Sequence, residues 1–323
     1  MRYDLITLGE TMLRFTPYHH QRIEQSHDLQ IHVGGSESNI AAGMARLGHP
    51  VAWLSRLTAN PIGYTIANTL RANGVDTSHV VWTNEDRNGL YFLEEGSSPR
   101  SSQVIYDRAN SAMSRMQRED LPVHLFQPDQ AKIFHTSGIT ITIGAQALTE
   151  HAVNLAKSAG LMISFDFNYR AKLASPTLAA RVCEFSASQA DLLFIPLRDV
   201  ITLYELDPHT NLAAAQTYIH ERFPQALIIM TNGADDCHAI SAAGERFQHP
   251  SYPVEMVSRL GAGDAFVAGF LHSLLQSDDP GLALQWASLA AAYKLSHPGD
   301  IPMWDQDSLA NLLRGSANAK IQR

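Results

Sequence analysis

The stretch Gly261-Ala262-Gly263-Asp264 sets a carboxylate beside the barest backbone in the chain. Phe266, Val267, Phe270, Leu271 and Leu274 follow at helical spacing, so the glycines stand at a helix start, after a strand-like run, VEMV. A helix start offers unbonded N–H groups and the positive end of the helix dipole, and glycine lets another group approach them. Together these make an anion site, most often for phosphate. An aspartate one residue further on can reach the same place. In phosphoryl transfer it would take the proton of the attacking hydroxyl while the amides hold the charge of the moving group. The plainer alternative is that Asp264 only complements the dipole. No GxxxxGK[ST] run occurs, so this is not the Walker type of phosphate loop.

A second glycine pair, in VGGSESNIAAGMARLG, precedes another helical pattern. Its first turn carries Ser36, Glu37 and Asn39, whose hydrogen-bonding side chains suit a polyhydroxylated molecule; a capped helix after a tight turn is the alternative. Gly48 stands where a helix C′ residue belongs.

These motifs need a scaffold. The 323 residues fit one large α/β domain with an appendage, or two ordinary domains. Strand-like runs (DLITLG, VAWLSRL, AKIFHTS, LMISFDFN, DLLFI, ALIIM) alternate with helix-like ones, which predicts a mainly parallel sheet covered by helices. Two segments break the rhythm. Residues 13–33 are extended and polar, and 89–108 alternate around a Gly/Ser/Pro turn. Two strands alone are barely stable in water, so the segments are expected to pair as a small covering sheet.

A net charge of −8 argues against a nucleic-acid partner and requires local arginines for any anionic substrate. No apolar run is long enough for a membrane span, the N-terminus lacks a signal-peptide pattern, and two unrelated cysteines, Cys183 and Cys237, suit a reducing compartment. A cytoplasmic protein is expected. The fifteen histidines show no metal-ligand spacing.

Taken together, GGSESNIAAGMARLG near one end and GAGDAFVAGFL near the other resemble the ribokinase-like (PfkB) carbohydrate kinase family. LITLGETMLRFTP, GLYF, VIYDRANSA and FDFNYR are similar to its 2-keto-3-deoxygluconate kinase branch. The resemblance implies a three-layer α/β/α sandwich (1–12, 34–88 and 109–323) with a β-sheet lid (13–33 and 89–108), and a homodimer paired through that lid. It implies a sugar site of Gly35, Ser36, Glu37, Ser38 and Asn39, covered by Tyr91, Tyr106 and Arg108. Arg170 would meet a substrate carboxylate, for which its planar fork is suited, and Asp300 would reach the sugar. Asp264 would be the base, and Gly261, Ala262 and Gly263 would hold the phosphoryl group.

Four features depart from the family pattern, all on the side of ATP and Mg²⁺. Ser258 and Arg259 precede the motif where Asp-Thr is usual, and that aspartate helps hold a monovalent cation in the family. Pro196 and Asp199 replace the ends of an N-x-x-E motif tied to Mg²⁺. Asp236 replaces the second glycine of a nucleotide motif begun by Gly233, and Thr231 replaces a lysine. An acid at 236 would repel a triphosphate unless Mg²⁺ or Arg259 offsets it. The expected activity is ATP-dependent phosphorylation of a sugar acid. A kinase of a neutral sugar such as fructose, or a sugar-acid-binding protein with weak or lost transfer, remains the alternative.

Overall fold

The computed structural model describes residues 3–315. In chain order its strands are β1 (Tyr3–Leu8), β2 (Met12–Pro17), β3 (Leu29–Gly34), β4 (Val51–Leu54), β5 (Arg56–Thr58), β6 (Val81–Thr83) and β7 (Leu90–Glu94). There follow β8 (Gln103–Asp107), β9 (Ala131–Ser137), β10 (Met162–Asp166), β11 (Leu192–Phe194), β12 (Leu227–Asn232), β13 (Asp236–Ile240) and β14 (Arg246–Pro250).

Eight of them form one sheet in the order β14-β13-β12-β11-β10-β9-β1-β4. Pairing is parallel from β12 to β4, and the last two strands run antiparallel. Both faces are covered, so its strands read as nearly continuous apolar runs. Leu5, Ile133, Phe194 and Ile229 enter one core, and Ile6, Phe134, Leu193 and Ile228 enter the other. Helices Ser36–Arg46, Pro61–Ala72, Ala262–Leu274 and Pro280–Leu295 pack on the first face, and Gln146–Ser158, Pro176–Gln189 and Leu212–Arg222 on the second. The result is a three-layer α/β/α sandwich. Among the described residues, no helix is long and apolar enough to cross a membrane.

Two expected strands differ. VAWLSRL splits at Ser55: β4 stays in the large sheet, while β5 pairs with β6 in a separate two-stranded ribbon. VEMV is not a strand, and the glycine motif follows an irregular segment. The reason is where its backbone bonds go. Val257 and Ser258 donate their N–H groups to the carbonyl of Leu295, at a helix end, instead of to a neighbouring strand.

A second, four-stranded sheet has the order β3-β2-β7-β8 and draws on residues 12–34 and 90–107. The outermost bounds expected for the sandwich, residues 1–2 and 316–323, lie outside the described residues.

Glu37 holds the helix Ser36–Arg46 on the large sheet. Its Oε1 accepts from the backbone N–H of Ser137 (3.1 Å), Ser137 Oγ (2.6 Å) and Thr140 Oγ1 (2.7 Å). Gly9, just past β1, leaves room for it: a Cβ there would overlap the carboxylate. Burial raises the Glu37 pKa, and those donors oppose the rise. Its expected place in a sugar site is therefore corrected; it joins the ends of β1 and β9 to the helix. Ser38 is corrected with it, because its buried hydroxyl turns back to the carbonyl of Gly35 (3.0 Å). Glu37→Ala should lower stability by about 2–4 kcal/mol, because buried donors lose their acceptor. Glu37→Gln keeps an acceptor oxygen and should cost less. Urea denaturation of both variants checks the order.

Candidate active site

Two helix starts meet at Asp264. Gly261 caps the helix Ala262–Leu274 with φ 72°, in the left-handed region, and a Cβ there would overlap the carbonyl oxygen of Asp300. Only glycine fits both demands. The first backbone bond into this helix runs from Ala265 N to Gly261 O (2.8 Å), so the N–H groups of Ala262, Gly263 and Asp264 precede the hydrogen-bonded turns. A Cβ on Gly263 would meet nothing within 4 Å, which leaves open space beside these donors.

The Asp264 carboxylate is held from the other helix. Ser36 Oγ donates to Oδ1 and Asn39 Nδ2 to Oδ2, each at 2.7 Å. Asn168 Nδ2 in turn donates to Ser36 Oγ (2.7 Å), which orients that hydroxyl toward the acid. Burial raises the Asp264 pKa above the ordinary value; the bonds from Asn39 and Ser36, and the charge of Arg170, pull against the rise. The group is a carboxylate whose proton affinity has been increased, as a general base requires.

In front of it lies a cavity of about 540 Å³, a size suited to a small ligand. Gly34, Gly35, Ser36, Asn39, Gly261 and Asp264 line its floor, and Tyr91, Tyr106 and Arg108 from the second sheet line its roof. Arg170 also lines it, on the same cavity as Asp264. No carboxylate lies within ion-pairing distance of Arg170 among the described residues; its Nη1 donates only to the carbonyl of Tyr169 (3.1 Å). Arg108 differs, being buried and paired with Glu10, with Nε–Oε2 at 2.8 Å. Asp300 lines the cavity too, but its oxygens are engaged. Arg14 meets Oδ2 through Nε (2.9 Å) and Nη2 (2.8 Å), and the Tyr91 hydroxyl donates to Oδ1 (2.6 Å). Asp300 thus lines the cavity, as expected of a sugar-side residue, and also ties the small sheet to the glycine-rich helix start.

The residues expected on the nucleotide side stand along the carboxyl ends of the parallel strands, where α/β sheets place ligands. Thr231 is on β12, Gly233 turns with φ 62°, and Asp236 opens β13. Asp236 is not bare. Asn232 Nδ2 donates to Oδ1 (3.0 Å) and His238 Nε2 lies 2.9 Å from Oδ2. Burial raises its pKa, but these two partners outweigh burial and the net shift is downward. Arg259 does not offset it: Arg259 is exposed, its Nε against the Met256 sulfur (3.1 Å), and it makes no ion pair among the described residues. Asp199 is buried, receives the N–H of Tyr169 (3.3 Å) and pairs with Arg198 (3.3 Å).

Several site residues lay outside the sequence expectation. Asp166, at the end of β10, has its pKa pushed to about 8 by burial first and then by the charge of Asp264, with Asp199 adding to it. Lys172 lines the cavity and donates its ammonium to the carbonyl of Val104 on β8. Arg14 and Glu10 supply the partners of Asp300 and Arg108. A cation inside an apolar strand, MLRFTP, was the available signal for Arg14, since a buried guanidinium demands a carboxylate.

Comparison with known proteins agrees with this architecture. The 2-dehydro-3-deoxygalactonokinase of Haloferax volcanii is 34% identical over 317 residues, covering 98% of each chain. The 2-dehydro-3-deoxygluconokinase of Bacillus subtilis is 28% identical over 305 residues, covering 93% of this chain and 92% of the other. The solved structure of 2-dehydro-3-deoxygluconokinase from Thermotoga maritima superposes with a TM-score of 0.89 at 30% identity, over 98% of this chain and 99% of that one. The sequence pattern of the pfkB family of carbohydrate kinases matches residues 3–307, and the chain belongs to that family.

Proposed function

We propose that the protein transfers the γ-phosphoryl group of ATP to a primary hydroxyl of a sugar acid of the 2-keto-3-deoxyhexonate kind. One observation carries the substrate class: Arg170, without a carboxylate partner, shares a single cavity with Asp264. A neutral sugar would leave that guanidinium with only the longer-range charges of Asp264, Asp166 and Asp199 and no directly bonded carboxylate. A carboxylate would take it bidentately, orienting the far end of the molecule toward the base.

In this reading Ser36 and Asn39 hold Asp264 in place, and Asp264 accepts the proton of the attacking hydroxyl. The amides of residues 262–264 receive the transferring phosphoryl, whose oxygens occupy the open space beside Gly263. Tyr91, Tyr106 and Arg108 form the cover. Mg²⁺, when bound, shields the charge of the triphosphate. Asp166 and Asp199 suit it, because burial raises the pKa of both carboxylates and the Asp199 charge raises that of Asp166 further, so both gain from a cation. The second reading, sugar-acid binding with weak transfer, draws on Asp236, which stays anionic where a triphosphate would lie.

The small sheet supports the expected homodimer. Cross-strand register places Ile31, Phe15, Phe92 and Ile105 in one row across its four strands. Phe15 and Phe92 stack with centroids 5.4 Å apart, while Ile31 is 58% and Ile105 54% exposed. A second copy of the row would cover it. The buried free thiols of Cys183 and Cys237 suit a reducing, cytoplasmic setting.

A coupled ADP-release assay over sugar acids and neutral sugars tests the activity, and turnover confined to neutral sugars would overturn the substrate class. Asp264→Asn should lower kcat by about 10²–10⁴-fold while sugar binding, read by calorimetry, changes little. The active form is the carboxylate, and burial raises its pKa, so the acid limb of kcat/KM should lie above the range of an exposed aspartate. Asn39→Ala removes a donor to that carboxylate and should move the limb to higher pH. Arg170→Met should raise KM for the sugar acid by about 10- to 100-fold, the worth of a charge-assisted pair. Ile105→Asp should give a monomeric mass by light scattering.

A further inference from the structure

Lys294 is wholly buried in the last turn of the helix Pro280–Leu295, and nothing in the reaction described above uses it. Lysine is almost never fully buried without a partner. Its ammonium donates to one backbone oxygen, that of His297 (3.0 Å), just beyond the helix end. Burial holds its pKa down to about 8; Asp300 and Asp264 pull it upward and Arg14 opposes them. The amine is enclosed in the protein, and the charges of Asp300 and Asp264 favour its protonated form.

Its location connects it to the anion site. The next residue, Leu295, accepts the N–H groups of Val257 (2.8 Å) and Ser258 (3.1 Å) through its carbonyl. That segment runs directly into Gly261, and Ser258 Oγ receives the N–H of Leu260 on the way (3.4 Å). So the helix end that carries the ammonium also anchors the backbone that delivers the amides of residues 262–264. Carbonyls at a helix C-terminus favour a positive charge. Ser258 stands where the family resemblance places an aspartate that helps hold a monovalent cation. The residues present do not fit such an ion. Ser258 is neutral and buried, and an ammonium already occupies the same helix end.

We propose that Lys294 is a tethered cation that replaces the mobile monovalent ion, and that it positions the segment 256–261 and with it the phosphoryl-binding amides. The proposal rests on the kinase reading, and Lys294 acts as a positioning residue without touching substrate.

The test compares wild type with Lys294→Ala and Lys294→Met in K⁺, NH₄⁺, Na⁺ and tetramethylammonium chlorides at constant ionic strength. Rates come from the ADP-release assay and stability from thermal melting without substrates. Wild-type kcat should agree within about twofold across the salts, and its Tm should not respond to K⁺. Lys294→Ala should lose about 10- to 100-fold in kcat with sugar KM nearly unchanged. K⁺ or NH₄⁺ should restore part of the loss and raise the Tm of this variant, while Lys294→Met, which fills the space, should respond less. A wild-type rate or Tm that rises specifically with K⁺ would overturn the proposal, as would a Lys294→Ala kcat equal to wild type. If neither variant folds, the wild-type salt response still decides. Absence of wild-type turnover on every sugar in every salt would instead end the kinase reading, and melting would then judge Lys294 by itself.

Discussion

The structure depends on bringing two helix N-termini against one carboxylate. Two positive dipole ends repel when they converge, and Asp264 between them offsets that repulsion. The helix Ser36–Arg46 holds the carboxylate with two side chains, and the helix Ala262–Leu274 carries it. Such closeness is possible only because backbone replaces side chain at the approach. A Cβ on Gly35 would overlap the Glu10 carbonyl, and one on Gly261 would overlap that of Asp300. The glycines and the acid are thus parts of one arrangement: the glycines leave the space, and Asp264 adds a polar tie between two helices that already share one apolar core.

The small sheet is fixed by charge as much as by packing. Arg14 and Tyr91 bind Asp300 across 286 and 209 positions of sequence, and Arg108 binds Glu10 across 98. Buried ion pairs are weak arguments for stability, because desolvation cancels much of their attraction. They are stronger arguments for geometry, since each tolerates only one alignment of its partners. Asp300 is also the residue whose backbone leaves no room for a side chain at Gly261. One residue therefore couples the height of the roof to the position of the amides of residues 262–264. Lys172 adds a lighter tie, from the loop after β10 to the outer strand β8.

Much of this was legible in the sequence, for identifiable reasons. The strands of the large sheet are covered on both faces, so short apolar runs marked them, and AKIFHTS coincides with β9. Glycine before an apolar helical period marked both helix starts, because few residues can occupy such turns. VEMV misled because β-branched and apolar residues were read as a strand where no neighbouring strand was available; Met256 and Val257 are left largely exposed. Glu37 misled for a different reason. It sits one helical step from Ser36, and composition does not tell which face of the first turn points to the cavity. The partners Arg14, Glu10 and Lys172 depend on contacts between distant segments, which spacing does not encode. The helices Leu197–Leu203, Leu212–Arg222 and Gln306–Leu313 were also unmarked; the first and last are short, and the second alternates small residues with polar ones.

The departures from the family pattern do not all act alike in three dimensions. Replacing glycine by Asp236 introduces a charge near the expected triphosphate, and Asn232 and His238 keep it anionic. Replacing an aspartate by Ser258 removes a negative group from the segment before the anion hole, yet a buried ammonium lies at the helix end to which Ser258 is bonded. At Asp199 the shorter acid keeps its carboxylate buried and close enough to Asp166 to raise that residue's pKa. Of these changes, Ser258 has a cation at the helix end that its backbone meets, and Asp199 keeps Arg198 beside it. The pattern fits a site whose donor side was rebalanced while Asp264 and Arg170 kept one cavity between them.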